Sequence, residues 1–151
     1  MENSIEDTLV RFGLPALFLL AFLAATVVPL GSEWLLVALL LGGAEPVGAV
    51  LTATAGNFLG ACTTWGLGWY GSPLLLERIL RVDRRSQERA EKLFAQYGPW
   101  ALLLSWVPVI GDPLCLLAGL LKVPFVRFLL PTFAGKLARY GIVALALAAA
   151  H

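Results

Sequence analysis

Residues 27–43 read "VVPLGSEWLLVALLLGG" and set a carboxylate, Glu33, inside a hydrophobic run. The next charge downstream is Glu45, and no Lys or Arg occurs between Arg11 and Arg78. An acid with no basic neighbour in sequence has to find its partner in space or face water. The segment Pro29-Leu30-Gly31-Ser32 sits immediately before it. Proline and glycine there split the apolar run 14–43 into two pieces, each too short for the ~20 residues that a full crossing requires.

Outward from that stretch, 59% of the 151 residues are hydrophobic and only 14% are charged. Ordinary globular chains carry about a quarter of their residues as charges. With a mean hydropathy of +0.82, the chain belongs in a bilayer. Its net charge of +1 argues against a nucleic-acid partner, but the charges are unevenly spread. The segment 77–96, "ERILRVDRRSQERAEKLFAQ", holds Arg78, Arg81, Arg84, Arg85, Arg89 and Lys92 against four acids, whereas the first ten residues hold Glu2, Glu6 and Asp7 and no base. The positive-inside tendency puts the central segment on the cytoplasmic side. An acidic N-terminus with no cleavage site makes the first apolar run part of the mature chain.

Three further apolar stretches follow, at 47–70, 99–121 and 124–150. The second and fourth of the four are long enough for one crossing each; the third is interrupted at 108–113, "PVIGDP". The order is broken, whole, broken, whole. Sliding the chain on itself by 79 residues lays Val28 on Val107, Pro29 on Pro108, Glu33 on Asp112 and Ala55-Gly56 on Ala134-Gly135. This predicts a single all-α membrane domain, 1–151, built by duplication: repeat 1 over 12–72, an amphipathic linker helix over 77–97, and repeat 2 over 98–150. If each broken run enters and leaves by the same face, each repeat adds one net crossing and the second is inserted upside down. That is an inverted repeat of re-entrant hairpins, each followed by a membrane helix. The linker helix is expected to start at the capping Asp83 and to stop at Gly98-Pro99, with Ala90, Leu93, Phe94 and Tyr97 on one face.

An ionisable group inside a membrane costs roughly 2.5–3.5 kcal/mol on insertion scales and marks a functional site by default. Glu33 and Asp112 qualify. Each lies beside a helix break whose freed amides and carbonyls are tolerated only when buried in protein or facing a watery cavity, so each is a candidate to take up and release a proton. Lys136 and Arg139, in "FAGKLARYG", are the candidate counter-ions. They follow Pro124 by 12 and 15 residues, which is roughly 18–22 Å into a crossing that starts there, too deep for easy snorkelling from a ~30 Å core. Pro29, Ser32, Asn57, Ser105, Pro108, Gly111 and Pro113 are the expected cavity or hairpin-tip residues.

The remaining motifs have plainer readings. Gly56 and Gly60 form a GxxxG that lets helices approach, here an internal neighbour. Trp65, Trp69 and Trp100 read as interfacial anchors, Trp34 and Trp106, close to the breaks, as core packing with cavity lining the alternative, and Glu45 as a residue at the mouth of the first hairpin. Cys62 and Cys115 lie in apolar sequence without metal-ligand spacing and read as buried thiols. His151 reads as an exposed terminal residue. The sequence has no nucleotide-binding glycine loop, nucleophile elbow or metal cluster, so neither an enzyme nor a cofactor is expected.

"PLGSEWLLVALLLGG", "LTATAGNFLG", "LLLSWVPVIGDPLCLLAGLLK" and "GKLARYG", in this order, resemble the YqaA-like branch of the DedA membrane proteins, also called the VTT or SNARE-associated family. The resemblance implies two facing re-entrant hairpins and lipid translocation across a bacterial inner membrane, with proton dependence. Glu33 matches the family's acid after the first hairpin's Pro and Ser. The larger branch carries arginines three residues either side of the second hairpin's proline; here those positions are Ser105 and Gly111, with Asp112 next. An anionic phosphate headgroup would therefore turn to Lys136 and Arg139. The expected function is a proton-dependent transporter or lipid scramblase whose partners are membrane lipids. The alternative is a non-transporting scaffold that recruits a partner through its charged cytoplasmic helix. With four apolar segments per chain, a homodimer is an option for completing the cavity wall.

Overall fold

The computed structural model describes residues 2–26, 32–71, 84–107 and 111–150. Every regular element among them is a helix: α1 (Glu2–Thr26), α2 (Glu33–Leu41), α3 (Pro46–Tyr70), α4 (Arg84–Tyr97), a 3₁₀ helix (Gly98–Trp106), α5 (Gly111–Leu120) and α6 (Phe125–Ala150). Among the described residues α6 is the one helix both long and apolar enough to cross a membrane. α3 has 25 residues and at 1.5 Å per residue is about as long as a bilayer core is thick, but its Thr, Asn and Gly residues lower its hydropathy. α1 continues upstream of the apolar run, whose helical part is Arg11–Ala25. Hydropathy marks where lipid contact would begin; backbone hydrogen bonding decides where the helix does.

α1 turns back into α2, and Leu39, near the end of α2, packs on Gly13. α3 then runs parallel to α1. Gly56 and Gly60 leave no room for a Cβ against the carbonyls of Phe18 and Phe22. In the same seam Asn57 Nδ2 donates to Ala21 O (3.2 Å) and Thr64 Oγ1 to Ala25 O (2.9 Å). The second half repeats the plan. The 3₁₀ helix and α5 double back, Gly111 resting on Ser105, and α6 runs parallel to the 3₁₀ helix with Gly135 against Leu103 and Ser105. Between the halves α3 and α6 are antiparallel: Phe58 meets Phe133 edge-on at 5.4 Å, and Trp65 meets Phe125 and Phe128 at 5.3 and 5.8 Å.

The 79-residue offset recurs in the backbone. α2 closes with Gly42 N–H on Ala38 O, Gly43 N–H on Leu40 O and Ala44 N–H on Leu39 O. α5 closes with Leu121 N–H on Leu117 O, Lys122 N–H on Gly119 O and Val123 N–H on Ala118 O, the same bonds 79 residues on. Both turns need a left-handed residue, Gly43 (φ 91°) in one and Lys122 (φ 58°) in the other, the usual way to satisfy a helix's last carbonyls. Lys122 holds that conformation while its ammonium donates to Trp69 O and lies over the Trp69 ring.

Several side chains have roles that the sequence did not disclose. Trp34 is exposed rather than core. Trp65 is a half-buried aromatic hub, stacked with Phe128, tilted against Trp69 and donating Nε1–H to Val123 O at 3.1 Å. Glu45 caps α3, accepting from Val47 N–H (2.9 Å) and Gly48 N–H (2.6 Å), with Pro46 in the first turn where no N–H is needed. α4 ends at Gly98 (φ 61°) and turns Ala90 and Phe94 inward, while Tyr97 stays exposed. Cys62 is half-buried, Cys115 is buried, and neither is in a disulfide. Asp83, as the expected cap, and His151 lie outside the described residues, as does the side chain of Trp106.

Candidate functional site

The end of the first hairpin reaches the middle of α6. Ser32, the residue before α2, is fully buried and its hydroxyl lies 2.5 Å from the Tyr140 hydroxyl. Glu33, the first residue of α2, forms an ion pair with Arg139. Two adjacent residues on the hairpin therefore engage two adjacent residues on α6, so hydroxyl contact and ion pair reinforce one register. The Arg139 guanidinium also lies 5.7 Å from the centre of the Tyr140 ring, which adds a cation–π contact.

The pair is shielded but not sealed. Arg139 is 15% exposed and Glu33 28%, so a small polar group could still reach both. Tyr140 itself is fully buried, and Asn57 of α3 brings its amide beside the Tyr140 hydroxyl. Asn57 commits Nδ2 to Ala21 O, and its Oδ1 has no hydrogen-bond partner among the described residues. Lys136 is fully buried one turn before Tyr140.

The second hairpin approaches the same helix about two turns earlier. Ser105 is buried and donates to Thr132 O at 3.3 Å. Gly111 packs so tightly on the Ser105 backbone that a side chain would overlap its carbonyl. Pro113 is buried in the first turn of α5. Asp112 lies on α5 between them, and its side chain is outside the described residues; so are Pro29 and Pro108. Ser32, Glu33, Asn57, Lys136 and Arg139 thus converge around mid-α6, with Ser105 and Gly111 at its edge.

Tyr140 is the member that sequence reasoning missed, because a tyrosine in an apolar run reads as packing. Its signal is positional: it follows Arg139 directly and lies four residues after Lys136, on the same face of the helix. Thr132 Oγ1, buried without a partner among the described residues, gave no signal at all. No group of His, Cys, Asp and Glu suited to a metal occurs among the described residues.

Residues 28–149 match the model of the VTT domain. The chain is 44% identical over 132 residues to the inner membrane protein YqaA of Escherichia coli strain K12, covering 87% of this chain and 88% of that one. The YqaA of Shigella flexneri matches to the same extent. An uncharacterized protein of Haemophilus influenzae is 40% identical over 134 residues, 82% of this chain and 80% of its own. No solved structure matches the chain.

Proposed function

The chain belongs to the VTT-domain family, and from that premise we propose that it is a DedA-type transporter or lipid scramblase of the bacterial inner membrane, gated by the Glu33–Arg139 pair. The single observation carrying this reading is that pair: an acid at a hairpin end, joined to an arginine at mid-helix and still reachable from outside. While both groups are charged, the pair holds the hairpin against α6. Protonation of Glu33 removes the negative partner and frees the guanidinium. A freed guanidinium is a planar, bidentate donor suited to a phosphate headgroup. Transport then needs no covalent step: the proton sits on Glu33 while the anionic headgroup takes the carboxylate's place on Arg139, and the hairpin is released or held accordingly.

In this reading the two halves are inverted re-entrant repeats, supported by the antiparallel course of α3 and α6 and by Leu39 of α2 packing back on Gly13 of α1. The basic segment 77–97 faces the cytoplasm. Asp112 is the second titrating acid and Lys136 the second cation. A homodimer would close the side of the cavity that one chain leaves open.

Reconstitution into liposomes carrying fluorescent phospholipid or polyprenyl-phosphate analogues tests the proposal. Leaflet exchange is expected to depend on pH and to be lost in Glu33→Gln, with Arg139→Gln losing exchange at every pH. Exchange indifferent to both substitutions would overturn the gating role, and absence of exchange in the wild type would favour the scaffold reading.

A further inference from the structure

A second feature lies on the outer side of the second half, away from the Glu33–Arg139 pair. Between the 3₁₀ helix and the first half of α6 runs a groove of about 660 Å³, lined by Pro99, Trp100, Leu103, Leu130, Pro131 and Ala134, with Val126 and Arg127 at its start. Its volume falls within the ~300–1000 Å³ of small-molecule sites. Almost all of its lining is apolar.

The groove follows from local geometry. A 3₁₀ helix has three residues per turn, so Trp100 and Leu103 stack in one straight ridge that cannot interdigitate with the 3.6-residue rows of α6. Pro131 carries no N–H, so the Arg127 carbonyl loses its helical partner at that turn. Gly135, pressed on Ser105, holds the deep end of the two helices together while the start stays open. The groove therefore begins where α4 ends and α6 begins, and runs about 10 Å inward to Ala134.

Arg127 gives the groove its chemistry. It is exposed and makes no ion pair among the described residues. Trp100, at the same end, is 73% exposed, and Leu130, along the wall, 68%. A lone cation at the open end of an apolar channel complements one kind of amphiphile, with a negative head outside and a hydrocarbon tail within. We infer that this groove is a binding site for an anionic glycerophospholipid, its phosphate on Arg127 and one acyl chain against Trp100, Leu103, Leu130 and Ala134. The inference rests on the membrane reading above but not on transport or on the ion pair.

Tryptophan quenching by brominated lipids in proteoliposomes reads the site, with the wild-type minus Trp100→Phe difference isolating the Trp100 signal. Brominated phosphatidylglycerol is expected to occupy the groove about fivefold in preference to brominated phosphatidylcholine, the factor that one basic residue contributes toward anionic lipid. Arg127→Gln should abolish the preference while leaving general quenching, and Ala134→Phe, which fills the channel from an exposed position, should reduce both lipids' access to Trp100. Equal quenching by the two lipids in the wild type, or a preference that survives Arg127→Gln, would overturn the site. Trp100 shielded from both lipids, together with cross-linking of a Leu130→Cys variant, would also overturn it by placing a second copy there. If neither lipid quenched any tryptophan, the membrane reading itself would fail, a result distinct from loss of selectivity.

Discussion

The two junctions where a hairpin's second arm meets the other half's long helix join corresponding elements and are built from opposite materials. α2 meets α6 through charge and hydroxyl: Glu33 on Arg139 and Ser32 on Tyr140. α5 meets α3 through the absence of side chains, Gly119 lying on the Trp65 carbonyl and Gly68 on that of Leu116. The 79-residue offset carries Arg139 onto Gly60 and Tyr140 onto Ala61. The helix-end hydrogen bonds recur across the offset and the side-chain chemistry does not. A glycine junction gains contact by close approach and holds one geometry, whereas an ion pair can be made and unmade. One junction is thus suited to be the fixed pivot and the other the moving part.

The sharpest way to break this contrast is at the pivot. Gly119→Leu forces a side chain into the Trp65 carbonyl, and overpacking of this kind typically costs about 3 kcal/mol. We expect loss of the folded monodisperse species in detergent, measured by thermal melting on size exclusion. A variant that melts like the wild type would show the junction to be pliant.

At the polar junction the expected cost is smaller and, unlike the pivot's, reversible by a second change. Arg139→Gln strands Glu33 in a partly shielded site. Removal of one member of a buried pair costs ~3–5 kcal/mol, and partial exposure of both groups brings this nearer ~2 kcal/mol. Glu33→Gln combined with Arg139→Gln should recover most of that loss. Additive destabilisation in the double-mutant cycle would mean that the two charges are not coupled.

The smallest effect tests the hydroxyl beside the pair. Tyr140→Phe removes one buried hydrogen-bonding group and leaves the ring, for about 1 kcal/mol. Ser32→Ala should add little in the Tyr140→Phe background, since each hydroxyl then already lacks the other. A full additional loss would show that Ser32 has a different partner.

Much of this was legible before any fold was known. Glu33 stands out because a carboxylate without a basic neighbour is costly in apolar sequence, and Arg139 stands out by its depth in the last run. The repeat offset was legible because it is carried by Pro, Gly and acids, residues that shape or burden a backbone. Other features had no such mark. The choice of Glu33 as the partner of Arg139 spans 106 positions in sequence, and no local pattern encodes a pairing between elements so far apart. Trp65 as a hub and Trp34 as an exposed residue could not be told apart from composition, since an indole suits either setting.

The sequence by itself determined the helical class, the breaks in the apolar runs and the candidates for buried charge, because hydropathy, breaks and desolvation cost act over one or two turns. Only the tertiary structure decided which junction is polar, that Tyr140 belongs to it, and that a 3₁₀ helix beside Pro131 opens a groove. Those outcomes depend on which helix faces meet and at what register, and that is set by the packing of the whole chain rather than by any one segment.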